Sequence, residues 1–182
     1  MPITGYVLLA AAWLIWLAPF LLTGWKFGGA AVRDRNARWG ILLQAAAYSV
    51  LWQSPFWTHS PGPWRMTLAV LFLALAGTLS WTAARALGKH LRLDAALSAD
   101  HQLIRSGPYR IIRHPIYASM FCLLLGTGFV ITPLPLLLLA IALMVAGTEI
   151  RARIEDRLLA AGFADDFRVY RQQVSSYIPY LR

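Results

Sequence analysis

Charged residues and cysteine are both scarce in this 182-residue chain. Only 14% of its residues are charged and 58% are hydrophobic, with a mean hydropathy of +0.54, whereas an average soluble domain has about 25% and about 45–50%. The core of a water-soluble domain of this size cannot bury so many apolar side chains, so lipid is the expected solvent. The single cysteine, Cys122, excludes an intrachain disulfide framework and a metal cluster made of cysteines alone.

Five uncharged stretches are candidates for membrane-spanning helices, namely residues 3–23, 39–57, 66–84, 115–132 and 134–148. A spanning helix needs about 20 apolar residues, so the first three are long enough and the last two are short. Pro133 and Pro135 favour a tight turn between those two. The sequence therefore predicts an all-α, multi-pass bundle of about five spans, with a retained first helix and a short hairpin at the end.

The positive charges predict the orientation of the chain. Sixteen of the 17 lysine and arginine residues fall on one side of the predicted bundle, and Arg65 falls on the other. Under the positive-inside rule the N-terminus is outside and the C-terminus is cytoplasmic. Arginine outnumbers lysine 15 to 2, which suggests a GC-rich prokaryote and its inner membrane. The net charge of +9 is then explained by topology and anionic lipid, and nucleic acid is not an expected partner.

Polar residues are concentrated after residue 85. Residues 88–114 and 149–182 are both polar, and both lie on the predicted cytoplasmic side of the short hairpin. We therefore divide the chain into an N-terminal part of three spans, residues 1–84, and a part that would hold the chemistry, residues 85–182.

His114, Arg151 and Glu155 each have a structural and a functional interpretation. His114 precedes Pro115 at a predicted helix start, where a lone histidine is more often a capping or interfacial residue than a functional one. Arg151 and Glu155 are one helical turn apart. They form either an exposed ion pair worth about 0.5 kcal/mol or less, or a cation and a carboxylate that hold a polar cofactor near the lipid headgroups.

Apolar residues recur at helical spacing in the C-terminal part, at Phe163, Phe167, Tyr170 and Val174. This spacing predicts an amphipathic helix, separated from the preceding one by a helix end at Gly162. The amphipathic helix either lies in the plane of the headgroups or folds back over the cytoplasmic face as a lid.

Several short motifs follow one another in a specific order between residues 85 and 180. They are His101-Gln102-Leu103-Ile104, Ser106-Gly107-Pro108-Tyr109, Arg113-His114-Pro115-Ile116-Tyr117, Arg151 with Glu155-Asp156, Phe163-Ala164, Phe167, Tyr170 and Ile178-Pro179. In this order and spacing they resemble the isoprenylcysteine carboxyl methyltransferase and phospholipid methyltransferase family of integral membrane enzymes. The chain departs from that pattern at Asp156, Ala164 and Phe167, where the family has glutamate, glycine and tyrosine.

The resemblance implies a methyltransferase that uses S-adenosylmethionine, bound by the loop before the fourth span and the helix after the fifth. It implies no metal, and it makes Arg151 the catalytic residue that faces the substrate. The implied cofactor contacts are His101, Gln102, Leu103, Ile104, Tyr109, His114, Pro115, Ile116, Tyr117 and Glu155.

The two candidate classes of acceptor differ in whether they need a general base. A carboxylate needs no general base, and Arg151 can bind it at two points, which favours methylation of a lipophilic acid such as an isoprenylcysteine-like compound. An amine must first lose a proton to a base such as Glu155 or His114, so a lipid-amine N-methyltransferase is the alternative. A non-catalytic scaffold or small transporter and a nicotinamide-dependent reductase are further alternatives. The expected partners are a lipophilic or lipidated acceptor and membrane lipids.

Overall fold

A computed structural model describes residues 3–23, 32–53, 60–91, 96–97 and 102–177. Its five α-helices are α1 (Ile3–Thr23), α2 (Ala37–Val50), α3 (Pro63–Leu87), α4 (Pro115–Ile131) and α5 (Leu134–Gln173). Two short 3-10 helices, Gly88–His90 and Gly107–Arg110, precede α4. Strands β1 (Val32–Arg33) and β2 (Ala96–Leu97) form a two-residue antiparallel pair. The predicted all-α bundle is confirmed.

The predicted count of about five spans is too high. Among the described residues, α1, α3 and α5 are the three helices long and apolar enough to cross a membrane, as expected of an integral membrane protein. The 14 residues of α2 rise about 21 Å and the 17 of α4 about 26 Å, less than the hydrocarbon core of about 30 Å. The predicted second span, 39–57, was too long because its helix ends at Val50, and residues 54–59 lie outside the described part.

Helix α5 is longer than its predicted apolar stretch. It begins at Leu134, three residues after the end of α4, so the tight turn predicted at the prolines is confirmed. The 30 residues before its break at Ala164 rise about 45 Å, about one and a half times the thickness of the hydrocarbon core. An 18-residue window of α5 is apolar enough to span, and the uncharged stretch 134–148 ends before Glu149, so we take the membrane-spanning segment to end close after Glu149 and the rest of the helix to lie beyond it.

Two hydrogen bonds show that α1 and α4 are antiparallel. The indole of Trp13 donates to the hydroxyl of Thr127 over 3.1 Å. Three residues later on α1, Trp16 donates to Ser119, eight residues earlier on α4, over 3.0 Å. Trp13 and Trp16 thus tie the first helix to α4 through buried polar partners.

Arg65 marks one end of the bundle. Its guanidinium donates to the carbonyls of Gly128, Phe129 and Thr132, where α4 ends. The hydroxyl of Thr132 donates to the carbonyl of Leu51, just after α2, over 2.9 Å. The last carbonyls of a helix have no partner within it, so Arg65 provides a donor for those of Phe129 and Thr132, whereas the Gly128 carbonyl also accepts from the backbone N–H of Thr132. We call this the Arg65 end.

The opposite end of the bundle carries His114, at the start of α4. There Ile116 packs against Phe20, Ala84 and Leu91, which lie near the ends of α1 and α3 or just after. We call this the His114 end.

Helix α2 packs closely on α5 through two glycines. A Cβ atom on Gly40 would lie 2.5 Å from Cγ of Arg151 and 2.6 Å from the carbonyl oxygen of Gly147. A Cβ atom on Gly147 would lie 2.7 Å from the carbonyl oxygen of Gly40. The two backbones can approach this closely because neither residue has a side chain. The contact places α2 against Arg151, where α5 leaves its apolar segment.

The second half of α5 contains a break. The helix end predicted at Gly162 is displaced by two residues, to Ala164, whose φ of 41° and ψ of −115° are not helical. Helix geometry then resumes and continues to Gln173. A non-glycine residue in this region of φ and ψ is strained, because its Cβ crowds the backbone.

The predicted amphipathic stripe covers protein. Phe167 and Tyr170 are buried and pack with Leu103 from the loop before α4. The hydroxyl of Tyr170 donates to the carbonyl of Tyr109 over 2.7 Å. The second half of α5 therefore folds back onto the loop before α4, as the lid alternative predicts, and its position relative to the lipid headgroups stays a prediction.

Candidate functional site

His114 lies at the centre of a buried cluster of ionisable side chains. It immediately precedes α4 and is 5% exposed. Its Nε2 lies 3.1 Å from Oδ1 of Asp156, and its Nδ1 lies 3.6 Å from Oε2 of Glu155. The imidazole makes no capping hydrogen bond to α4. His114 thus occupies the N-cap position of α4, but its side chain does not cap the helix and instead joins the start of α4 to α5.

The charges of this cluster stabilise one another. Burial alone would lower the pKa of His114, but hydrogen bonds to Asp156 and Glu155 raise it above its ordinary value of 6.5. Burial alone would raise the pKa values of Glu155 and Asp156, but the contacts with His114 bring both below their ordinary values. The arrangement favours a protonated imidazole between two ionised carboxylates. All three groups lie outside the membrane-spanning segments.

Arg113 connects this cluster to the segment that follows α5. Its Nη2 lies 3.1 Å from Oδ2 of Asp156, in an ion pair whose side chains are only 8% and 14% exposed. The same nitrogen donates to Oγ of Ser176 over 2.6 Å, and Nη1 donates to the carbonyl of Val174. Arg113 is thus a buried partner of the cluster rather than merely an interfacial anchor.

Two tyrosine rings lie beside His114. The ring centroids of Tyr117 on α4 and Tyr177 after α5 are each 5.7 Å from that of His114. The hydroxyl of Tyr177 donates to Oε2 of Glu149 over 3.1 Å. The tail of the described chain therefore lies against the imidazole.

Arg151 and Glu155 meet at Tyr117. The hydroxyl of Tyr117 donates to Oε1 of Glu155, and Nη2 of Arg151 lies 3.9 Å from that oxygen. The guanidinium carbon of Arg151 is 5.0 Å from the centroid of the Tyr117 ring. The side chains of Arg151 and Glu155 are 11% and 28% exposed, so the interpretation as an exposed ion pair is wrong. Their interaction is less screened by solvent than that of a surface pair.

Helix α2 contributes a residue that the sequence analysis missed. Gln44 is 3% exposed, and its Oε1 accepts a hydrogen bond from Nη1 of Arg151 over 3.2 Å. Its Nε2 donates to Oγ1 of Thr148 over 2.9 Å. A glutamine inside an apolar helix was the available signal, because buried polar groups need partners. Tyr177 offered no such signal, since it follows the helices in an ordinary polar tail.

The structure brings together His114, Tyr117, Arg151 and Glu155 from the predicted set. Tyr109 is buried and reaches the second half of α5 through Tyr170, as described above. The remaining predicted residues have other surroundings: Pro115 is buried at the start of α4, Ile116 packs against α1 and α3, Leu103 packs against Phe167 and Tyr170, Ile104 is half-buried, and Gln102 is exposed.

Some predicted residues fall where nothing can be described. His101 and the pair Ile178-Pro179 lie outside the described residues. Over the ranges that are described, no group of three or more His, Cys, Asp or Glu side chains could hold a metal ion.

This chain is similar in sequence to several known proteins. A family model described as phospholipid methyltransferase matches residues 64–166. The cobalt-zinc-cadmium resistance protein CzcN of Cupriavidus metallidurans is 30% identical over 155 residues, 82% of this chain and 65% of that protein. The protein-S-isoprenylcysteine O-methyltransferases of Schizosaccharomyces pombe and Tribolium castaneum are 30% and 29% identical over 107 and 121 residues.

These two alignments cover 51% and 65% of this chain and 45% and 43% of the enzymes. The chain thus spans less than two thirds of the length of these relatives. The matched residues 64–166 contain α3, α4 and the charged residues of the cluster, whereas Gln44 and Tyr177 lie outside them. More than half of the chain is matched, and the resemblance seen in the motifs is confirmed. The chain belongs to the phospholipid methyltransferase family.

Proposed function

We propose that the protein transfers a methyl group from S-adenosylmethionine to a lipophilic acceptor at the membrane surface. The favoured acceptor is the carboxylate of an isoprenylcysteine-like compound. The observation that carries this proposal is the buried cluster of His114, Arg151 and Glu155 where α5 leaves its apolar segment. The description of the family and the names of the two relatives that are protein-S-isoprenylcysteine O-methyltransferases support the class of reaction.

The side chains of the cluster suit S-adenosylmethionine, which carries an ammonium, a sulfonium and a carboxylate. Glu155 provides a partly buried carboxylate for a cationic group. Tyr117 and Tyr177 provide aromatic faces, which attract ammonium and sulfonium cations. Arg113 supplies positive charge for a carboxylate. When bound, the cofactor supplies an activated methyl group for in-line displacement, and we propose that His114, Tyr117 and Glu155 hold it.

Arg151 is the residue that we propose orients the acceptor. A carboxylate is ionised at neutral pH, so it needs alignment and not a base. A guanidinium binds a carboxylate at two points, which fixes its direction as well as its position. Correct positioning of two reactants can lower a barrier by about 7–11 kcal/mol, so it can provide much of the catalysis.

The family description also favours a second acceptor class, a phospholipid amine. An amine acceptor needs a base to remove its proton, and Glu155 is the candidate because its carboxylate lies beside Arg151. Contacts with His114 and Tyr117 help keep the pKa of Glu155 below its ordinary value despite burial, which makes it a weak base. This is why we favour the acid.

The reaction also fits a place at the cytoplasmic side of a membrane. We propose that the N-terminus is outside, that the His114 end faces the cytoplasm of a prokaryotic cell, and that the acceptor arrives from the bilayer. The cofactor is charged and comes from water, whereas a prenyl chain gains about 0.8 kcal/mol for each methylene buried in lipid. The two reactants meet at the interface.

A methyl-transfer assay tests the proposal. Purified protein in lipid nanodiscs would receive tritium-labelled S-adenosylmethionine with either an N-acetyl-S-prenylcysteine or phosphatidylethanolamine. We expect a labelled product from the prenylcysteine that releases methanol in alkali, as a methyl ester does. A base-stable product from the ethanolamine lipid would support the amine class. Absence of both transfer and cofactor binding would contradict the proposed function and favour a scaffold.

A further inference from the structure

We infer that Gln44 is a positioning residue that holds Arg151 in the orientation needed to bind the acceptor. The inference rests on the proposed function and extends it to α2, a helix outside the matched residues 64–166. Acceptor binding would then depend on a different part of the chain from the cofactor cluster.

The amide of Gln44 has one favourable orientation. Its Nε2 donates to Oγ1 of Thr148 over 2.9 Å, which leaves Oε1 to accept from Nη1 of Arg151 over 3.2 Å. Rotation of the amide by 180° would place its NH2 group against a guanidinium that can only donate. Thr148 in turn directs its hydroxyl at Sδ of Met144 over 3.6 Å. The chain of contacts therefore fixes the oxygen that Arg151 meets.

Helix α2 also limits where the stem of Arg151 can lie. Cγ of Arg151 would be 2.5 Å from a Cβ atom on Gly40, and Cδ would be 3.3 Å from it, so the stem lies directly against the backbone of α2. Both the stem and one nitrogen of the side chain are thus positioned by the same helix. A long arginine side chain loses considerable rotamer freedom when it is ordered in this way, and contacts on both parts offset that cost.

The chemistry of an amide suits this position. A glutamine oxygen accepts a hydrogen bond from the guanidinium without cancelling its positive charge, which stays available for an anionic acceptor. Arg151 already has one carboxylate neighbour, Glu155 at 3.9 Å, and a second carboxylate at position 44 would form a further ion pair with it and compete with that acceptor. Gln44 therefore both orients the cation and preserves its charge.

Kinetics of three variants test the inference. Gln44→Met keeps the length of the side chain and removes both hydrogen bonds, and we expect it to raise the KM for the prenylcysteine acid 10-fold or more. We expect Gln44→Glu, which keeps an accepting oxygen, to raise that KM as well, because it neutralises Arg151. The Kd for S-adenosylmethionine should stay within 2-fold of wild type in both. The matched control is Gln53→Met, since Gln53 is exposed just after α2 and donates to the carbonyl of Ser49.

A double-mutant comparison separates positioning from a general structural role. Arg151→Ala should itself raise the acceptor KM, and adding Gln44→Met to it should cause no further rise if Gln44 acts through Arg151. Additive effects, or a wild-type KM in both Gln44 variants, would overturn the inference while the wild-type enzyme stays active. If the wild type transfers no methyl group to any acceptor, the proposed function itself fails, and that outcome is seen without any variant.

Discussion

The two ends of the bundle both bury arginine side chains, but they use them differently. At the Arg65 end, the guanidinium donates to the last backbone carbonyls of α4. At the His114 end, Arg113 meets the carboxylate of Asp156, and Arg151 meets the side chain of Gln44. The first arrangement serves the main chain, whereas the second also joins side chains from separate elements, in addition to the Val174 carbonyl that Arg113 contacts.

The difference between the two ends supports the proposal that the ligand binds at the His114 end. Every helix end has carbonyls that need donors, so the contacts of Arg65 have a sufficient structural reason. A buried group of charges has no such structural reason. Removing ions from water costs free energy, and well-packed apolar residues in the same place would avoid that cost. The His114 end collects such charges from the residues just before α4 and from α5, and α2 adds the neutral amide of Gln44. We therefore expect the Arg65 end to contribute mainly to stability, and we propose that the His114 end binds the cofactor and the substrate.

Substitutions in the cluster should have the largest effect. We expect Glu155→Ala and His114→Ala each to weaken binding of S-adenosylmethionine at least 100-fold, because each removes a charge that the rest of the cluster is arranged around. Isothermal titration in detergent would measure this. Asp165→Asn is the control, since Asp165 is 85% exposed and should leave the affinity unchanged. Wild-type affinity in both cluster variants would remove the functional difference between the two ends.

Arg65→Met should show the opposite behaviour. It leaves helix-end carbonyls without a buried donor, and the loss of charged hydrogen bonds is expected to lower the free energy of unfolding by about 2 kcal/mol. The Kd for S-adenosylmethionine and the acceptor KM of the folded protein should stay within 2-fold of wild type. Denaturant unfolding and the kinetic assay together give both numbers. A large change in KM with little loss of stability would mean that the Arg65 end also takes part in binding.

The pH dependence of stability should reveal the protonated His114. Its raised pKa stabilises the fold below the ordinary value of 6.5, and this contribution disappears as the pH rises through the folded value. Glu155 and Asp156 have lowered pKa values, so their contribution is complete above 4.5 and disappears as the pH falls through the folded values. The melting temperature should therefore be highest between pH 4.5 and 6.5. In His114→Gln the decline above 6.5 should vanish, and a decline identical to wild type would contradict the assignment.

A smaller effect is expected at the break in α5. The resemblance places a glycine where this chain has Ala164, whose φ is 41°. Ala164→Gly should relieve the strain and raise the free energy of unfolding by about 1 kcal/mol. Ala160→Gly, four residues earlier in regular exposed helix, should lower it by about 0.5–1 kcal/mol. If both changes destabilise equally, the break does not strain the backbone.

The bounds of a helix could be predicted where the whole helix coincides with a single apolar stretch of the sequence. The first prediction, residues 3–23, has the same bounds as α1, and the fourth, 115–132, differs from α4 by one residue. The length of α2 could not be predicted, because residues 51–57 stay uncharged after the helix ends at Val50. The full length of α5 was also hidden, since hydropathy changes at Glu149 although the helix continues. The division of the chain at residue 84 stays a prediction.

The candidate site could be predicted only in part. His114, Tyr117, Arg151 and Glu155 belong to motifs, so their types and order were readable. Gln44 lies 107 positions before its partner Arg151, and no local pattern encodes that contact. The contact arises because α2 and α5 pack closely through small residues, and the periodicity of the sequence does not reveal which helices pack together. The roles assigned to all of these residues stay predictions until a ligand is seen.

The most direct test is a cryo-EM map of the protein with S-adenosylhomocysteine, the demethylated product of the donor. We predict ligand density at the His114 end. Polar atoms of the ligand should lie within hydrogen-bond distance of Glu155 or His114, and the side of the ligand that has lost the methyl group should face Arg151. Density at the Arg65 end, or at the His114 end without contact to Glu155 or His114, would contradict this prediction.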